Sequence, residues 1–176
     1  MNDFSYLNVD NAYKLINQKV TKTPLVTNDY INNLLEAEIY FKLENLQNTG
    51  SFKLRGATHK ITKLIENVKD SGVVAYSSGN HAQAVAYASM INSISAKIIM
   101  PKTAPQIKIE NTKNYGAEVI LYDSYFQSRE EIGNEIQKKD NRALIKPYDD
   151  EDIIAGQGTA AIEIVNDLKE QSIEPD

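Results

Sequence analysis

The chain has 176 residues, 41% of them hydrophobic, a formal net charge of −5, two histidines and no cysteine. That length supports one well-buried core. The acidic balance leaves no basic stripe for nucleic acid, and the residue counts exclude disulfides, thiolate metal sites and a histidine-rich metal cluster.

Val9, Tyr13, Ile16 and Val20 recur at near-helical spacing and predict a first amphipathic helix, with Asn8 placed to cap it. Thr23-Pro24 ends it and sets the chain extended. A short helix around Ile31, Leu34 and Leu35 follows, then a strand over Ile39–Leu43. Leu54, Ala57, Ile61, Leu64, Ile65 and Val68 form an apolar stripe along a helix that starts at Ser51-Phe52-Lys53. Gly72 closes that helix, and Val73–Tyr76 reads as a buried strand.

The rhythm repeats with a helix from about Asn80 to Met90, a strand at Lys97–Met100, a helix opened by Pro105 and ended by Gly116, and a strand at Glu118–Tyr122. Ser124 is placed to cap the next helix, whose Glu130 and Glu131 come early and Lys138 and Lys139 late, as the helix dipole favours. Ala143–Ile145 is a last short strand. Alternating strands and helices predict an α/β fold, an open parallel sheet flanked by helices. Beyond Pro147 an acidic turn, Asp149–Asp152, leads to Gly156-Gln157-Gly158-Thr159 and a helix carrying Ile162, Val165 and Leu168. The tail Ser172–Asp176 reads as a loop feeding a further strand. No apolar run approaches a membrane span, and Met1-Asn2-Asp3 lacks the basic start of a signal peptide, so a cytoplasmic protein that meets no membrane is expected.

Two segments carry chemistry. Lys53 stands at a helix start, where the positive end of the dipole and apolar neighbours favour a neutral, nucleophilic amine able to condense with an aldehyde. Phe52 beside it could pack on a flat cofactor. The bland reading is a solvated helix lysine like Lys60 or Lys63. Ser77-Ser78-Gly79-Asn80-His81-Ala82-Gln83 joins a strand to a helix, a place where unpaired N–H groups bind anions. Its bland reading is an ordinary turn.

Lys42 to Ala57, with Ser51-Phe52-Lys53-Leu54-Arg55-Gly56-Ala57 at its end, together with Ser77–Gln83, resembles the threonine/serine dehydratase and serine racemase branch of the fold-type II pyridoxal-phosphate enzymes. Met100–Pro105, Asn114–Ala117, Pro147–Asp150 and Ile154–Thr159 extend the likeness from about Asn8 onward. The resemblance implies pyridoxal 5'-phosphate as cofactor, Lys53 as the lysine that attaches it, and Asn80 as hydrogen-bond partner of the cofactor's ring hydroxyl. It also implies Ser77, Asn80 and the backbone at His81 as the cradle of the substrate carboxylate, with His81 not acting as a general base.

Serine racemase places a serine at the position of Ser78, on the cofactor face opposite the lysine, as second proton donor and acceptor. The alternative is a serine that only hydrogen-bonds the turn. The implied reaction removes water and ammonia from a hydroxy-amino acid: L-threonine gives 2-oxobutanoate, and L-serine gives pyruvate. Racemisation of serine is the other enzyme reading. The implied organisation is a small lobe over residues 51–147, with residues 1–50 and 148–176 belonging to a large lobe that is incomplete here.

The family continues into a glycine-rich loop that grips the cofactor phosphate, and none of the eight glycines here lies in such a run. A third expectation is therefore a half-protein that needs its C-terminal half, and a homo-oligomer once completed. A nucleotide-binding module is disfavoured because no Gly-x-Gly-x-x-Gly follows any strand.

Overall fold

The capping signals at the N-terminus produce α1, Tyr6–Ile16. Asn8 is not its cap. Ser5 is, and Asn8, a half-turn into the helix, reaches back so that its Oδ1 accepts from the Ser5 N–H at 2.9 Å. Val20 lies beyond the helix end yet is buried. The computed structural model describes residues 4–175, so the Met1-Asn2-Asp3 start and Asp176 of the tail lie outside the described residues.

Pro24 leads into β1, Leu25–Thr27. After α2, Asp29–Leu35, β1 pairs antiparallel with β2, Tyr40–Lys42, as a separate two-stranded sheet. A 3-10 turn then brings the chain to α3, Lys53–Val68.

The main sheet is parallel and four-stranded. Its members are β3 (Val73–Tyr76), β4 (Ala96–Pro101), β5 (Glu118–Tyr122) and β6 (Ala143–Leu144), in the order β5-β4-β3-β6. The connecting helices are α4 (Asn80–Ile91), α5 (Gln106–Asn114) and α6 (Arg129–Asp140). Alternation along the strands sorts the side chains. Val73, Ala75, Ile98 and Met100 enter one core with residues of α3, α4 and α5, whereas Val74, Ile99 and Tyr122 pack with Ile132 and Ile136 of α6. Helices therefore cover both faces, as the alternation predicted.

The cap of α6 is Ser128, whose Oγ accepts from the Glu131 N–H, and not Ser124. Residues 123–127 instead form a turn around Asp123. Gly72 lies past the end of α3 at φ +80°, and its N–H donates to Val68 O at 2.7 Å. No helix among the described residues is long and apolar enough to cross a membrane.

The last helix, α7, spans Glu151–Glu170 and contains Gly156-Gln157-Gly158-Thr159 in its interior rather than before it. Glycine costs a helix about 1 kcal/mol relative to alanine, and the packing supplies the reason for accepting it. A Cβ on Gly156 would sit 2.6 Å from the Gly56 Cα and 2.8 Å from the Arg55 carbonyl oxygen, so α3 and α7 cross backbone to backbone there. Gln157 seals the crossing by accepting from the Gly56 N–H at 3.2 Å.

Beside it lies a buried charge cluster. The Arg55 side chain is 0% exposed, and its guanidinium donates in pairs to Glu44 at 2.7 and 2.9 Å and to Glu163 at 2.8 Å twice. Lys42 closes the cluster with a 2.8 Å ion pair to Glu163 and a hydrogen bond to Thr23 O. Burial would raise the Glu44 pKa. Hydrogen bonds from Arg55 and Thr23 outweigh it and hold the carboxyl below its usual range.

Candidate functional site

Strand order locates the crevice. The chain runs outward from β3 to β4 and β5 on one side, then α6 carries it across the opposite face to place β6 on the other side of β3. In open α/β sheets this reversal opens a crevice beyond the carboxyl ends of the strands. The residues that leave β3 are Ser77, Ser78 and Gly79, and those that leave β6 are Ile145, Lys146 and Pro147.

Lys53 is the first residue of α3, and its Nζ donates to Pro147 O at 2.9 Å. The amine therefore stands at the β6 exit, held by a carbonyl and, among the described residues, by no carboxylate. The Phe52 ring, 44% exposed, lies 5.2 Å from the same nitrogen. Arg55, two residues on, ties this helix end to Glu44 in the 3-10 turn after β2 and to Glu163 of α7, so the amine is mounted on a fixed support.

Opposite stands the start of α4. Its first intrahelical bond runs from the Gln83 N–H to Gly79 O, which leaves the N–H groups of Asn80, His81 and Ala82 ahead of the ladder. The turn bond is made by Ser77, whose Oγ accepts from the Gly79 N–H at 3.2 Å. Ser78 is exposed, and its hydroxyl has no partner among the described residues. Asn80 presents its Oδ1 to Lys108 Nζ at 2.9 Å, leaving its amide N–H groups available. A Cβ placed on Gly79 would meet nothing within 4 Å, so the loop borders open space.

His81 points the other way. It is 3% exposed, and its Nε2 hydrogen-bonds Ile145 O at 3.1 Å, binding the α4 start to the β6 exit. Burial, reinforced by the nearby Lys53 charge and opposed by the Ile145 hydrogen bond, pushes its pKa down to about 4. The imidazole is neutral at pH 7 and serves as a strut.

A group whose folded pKa lies below its unfolded value contributes stability above the unfolded value and loses it as pH falls. For His81 that window runs from about 6.5 to about 4. Protonation should cost about 3 kcal/mol across it. Urea denaturation of the parent and of His81→Gln at pH 7 and pH 4.5 measures this loss as the difference between them, the remainder coming in part from His59, whose pKa burial also lowers.

The structure thus brings Lys53 and His81 to the two sides of the β6 exit and puts Ser77, Ser78 and Asn80 on the adjoining loop. The sequence reading missed Lys108, the Pro147 carbonyl and the Glu163 end of the Arg55 cluster. The only trace of the last is Thr159, Glu163 and Asp167 recurring every fourth residue along α7. The described residues hold no cluster of three or more side chains able to bind a metal.

Residues 16–176 match the family described as pyridoxal-phosphate dependent enzyme. The chain belongs to this family. The family's cofactor is pyridoxal phosphate, and its relatives include ammonia-lyases and racemases. L-threo-3-hydroxyaspartate ammonia-lyase of Saccharomyces cerevisiae is 44% identical over 164 residues, covering 93% of this chain and 50% of that one. Serine racemase of Schizosaccharomyces pombe is 43% identical over 164 residues, covering 93% and 51%. The crystal structure of threonine deaminase from T.th. superposes with a TM-score of 0.88 at 40% identity, over 97% of this chain and 54% of that one. The chain spans about half the length of the curated relatives it matches.

The donor set fits the family's cofactor. It comprises a primary amine with no carboxylate partner among the described residues, a side-chain amide on the adjoining loop, and open backbone N–H groups at a helix start.

Proposed function

We propose that these residues serve a pyridoxal-phosphate-dependent ammonia-lyase that converts L-threonine or L-serine to a 2-oxo acid and ammonia. The observation that carries this reading is the Lys53 amine at the head of α3, facing the Ser77–His81 loop across the β3/β6 crevice. On this reading residues 51–147 form the small lobe, and residues 1–50 and 148–176 belong to the large one.

Bound there, pyridoxal phosphate supplies an electron sink that acidifies the α-proton of an attached amino acid. Lys53 would hold the cofactor through its amine, and the same amine, when free, would take the proton from Cα. The Asn80 Nδ2 would donate to the ring hydroxyl. Ser77 and the N–H groups of Asn80 and His81 receive the substrate carboxylate, an anion at the positive end of α4. Phe52, next to the amine, would pack against the cofactor.

Borohydride reduction of the chain with added pyridoxal phosphate, followed by peptide mass spectrometry, should place the adduct on Lys53. Lys53→Ala should abolish it. A label on Lys60 or Lys63 with Lys53 unmodified overturns the assignment.

A second reading, serine racemisation, is favoured by the free hydroxyl of Ser78, since the turn bond belongs to Ser77. Inverting Cα requires a proton donor on the face away from Lys53. In a catalytically active form of the protein, Ser78→Ala should abolish α-proton exchange from D-serine while elimination from L-serine survives. Equal loss of both activities would leave Ser78 a turn residue. A third reading, action only together with a further segment that supplies the phosphate contacts, is favoured by the half-length match. Full turnover by the 176 residues alone would contradict it.

A further inference from the structure

We infer that Lys108 is the positioning residue that fixes which way the Asn80 amide faces, and thereby the charge state of the cofactor's ring oxygen. This rests on the reading of Asn80 given above.

Lys108 lies on α5, half-buried, and its Nζ is 2.9 Å from Asn80 Oδ1. An ammonium has three donors and no acceptor, so it accepts one orientation of a side-chain amide: oxygen toward Lys108, NH2 away from it. Without Lys108 the exposed amide can turn over and present its oxygen to another oxygen.

Lys42, Lys60 and Lys97 each meet a carboxylate, whereas Lys108, like Lys19 with Asn92, meets a side-chain amide and forms no ion pair among the described residues. An ammonium whose side-chain partner is a neutral amide is not neutralised by it, which suits a site that gains an anionic atom when filled. Lys108 on α5 contacts the Asn80 side chain, the neutral His81 follows it in α4, and Lys53 at the head of α3 stands near enough to His81 to lower its pKa. The hydrogen bonds of these three run to Asn80, Pro147 and Ile145, and none runs to a carboxylate.

Two effects then act in the same direction. The ammonium polarises the amide, strengthening Nδ2–H as a donor to the ring oxygen. Its positive charge favours the anionic form of that oxygen. Both lower the pH at which the ring hydroxyl ionises.

The test titrates the parent chain, Lys108→Met, Lys108→Arg and Asn80→Ala with pyridoxal phosphate, reading the absorption band of the bound cofactor against pH. Lys108→Met should raise the midpoint by about one pH unit. It should also weaken cofactor binding about tenfold, the loss expected for one hydrogen bond to a charged group. Lys108→Arg should restore both. Adding Lys108→Met to Asn80→Ala should move the midpoint less than Lys108→Met does in the parent chain, because the effect exerted through the amide is already gone and only the direct charge effect remains. The urea midpoint of Lys108→Met should stay at the parent value, since its side-chain partner is exposed.

A borohydride label on Lys53 with an unmoved pH midpoint overturns this inference alone. An absent Lys53 label in the parent chain overturns the functional reading and this inference with it.

Discussion

Arg55→Met is expected to lower the unfolding free energy by about 3–5 kcal/mol, the cost of leaving buried charge without its partner. Glu44 and Glu163 each receive two hydrogen bonds from the one guanidinium. Paired bonds of this kind are short and charge-assisted. With methionine in place, Glu163, 2% exposed, keeps only Lys42. Burial lowers the Arg55 pKa, but the two carboxylates outweigh it and raise the pKa overall, so the side chain cannot escape its partners by losing a proton. Against a total stability of about 5–15 kcal/mol, the loss approaches unfolding. Urea denaturation measures it, and a cost under about 1 kcal/mol would mean the cluster relaxes to water. The size of the loss does not make the cluster a net stabiliser, because an apolar replacement of the whole set could be neutral.

Gly156→Ala should cost about 3 kcal/mol by overpacking, although alanine is the better helix former by about 1 kcal/mol. The sign is set by what the new methyl meets. At Gly156 these are the Gly56 Cα, the Arg55 carbonyl oxygen and the His59 Cβ, all on or next to the backbone of α3, so the helices must separate. Gly158→Ala is the control. There the methyl meets Val9 Cγ1 at 2.9 Å, a side-chain terminus that can shift, and the net change should be within about 1 kcal/mol. Thermal unfolding of the two variants separates these outcomes. Similar melting temperatures would show that the crossing is not tight.

The strands of the main sheet were legible because each is a largely apolar run bounded by turn residues, and Glu118–Tyr122 matches its expected bounds residue for residue, whereas β1 was expected only as extended chain. Caps were less so. Ser124 and Ser128 are equally good acceptors in sequence, and the turn around Asp123 selects the second. Gly156-Gln157-Gly158 read as a loop because glycine disfavours helix, and only the neighbouring α3 backbone overrides that preference. In the candidate site, Lys53 and the Ser77–His81 loop were visible as motifs. Lys108 and Pro147 were not, since each reaches the site through a contact between residues far apart in the chain, 28 positions for Lys108 and Asn80 and 94 for Lys53 and Pro147. The structure also divides two serines the sequence could not, giving the turn bond to Ser77.

The span from Arg55 to Glu163 is 108 positions, and it orders events during synthesis. At about 5–20 residues per second, a ribosome needs roughly 5–20 s to make the intervening chain. Through that interval the guanidinium has Glu44 and no second carboxylate, and Gly56 has no helix to close against. The parallel strands β3 to β6 are all made within it and can pair beforehand. The head of α3, which carries the Lys53 amine, thus acquires its final form only after β3 to β6 have been made, and it waits for α7 to dock.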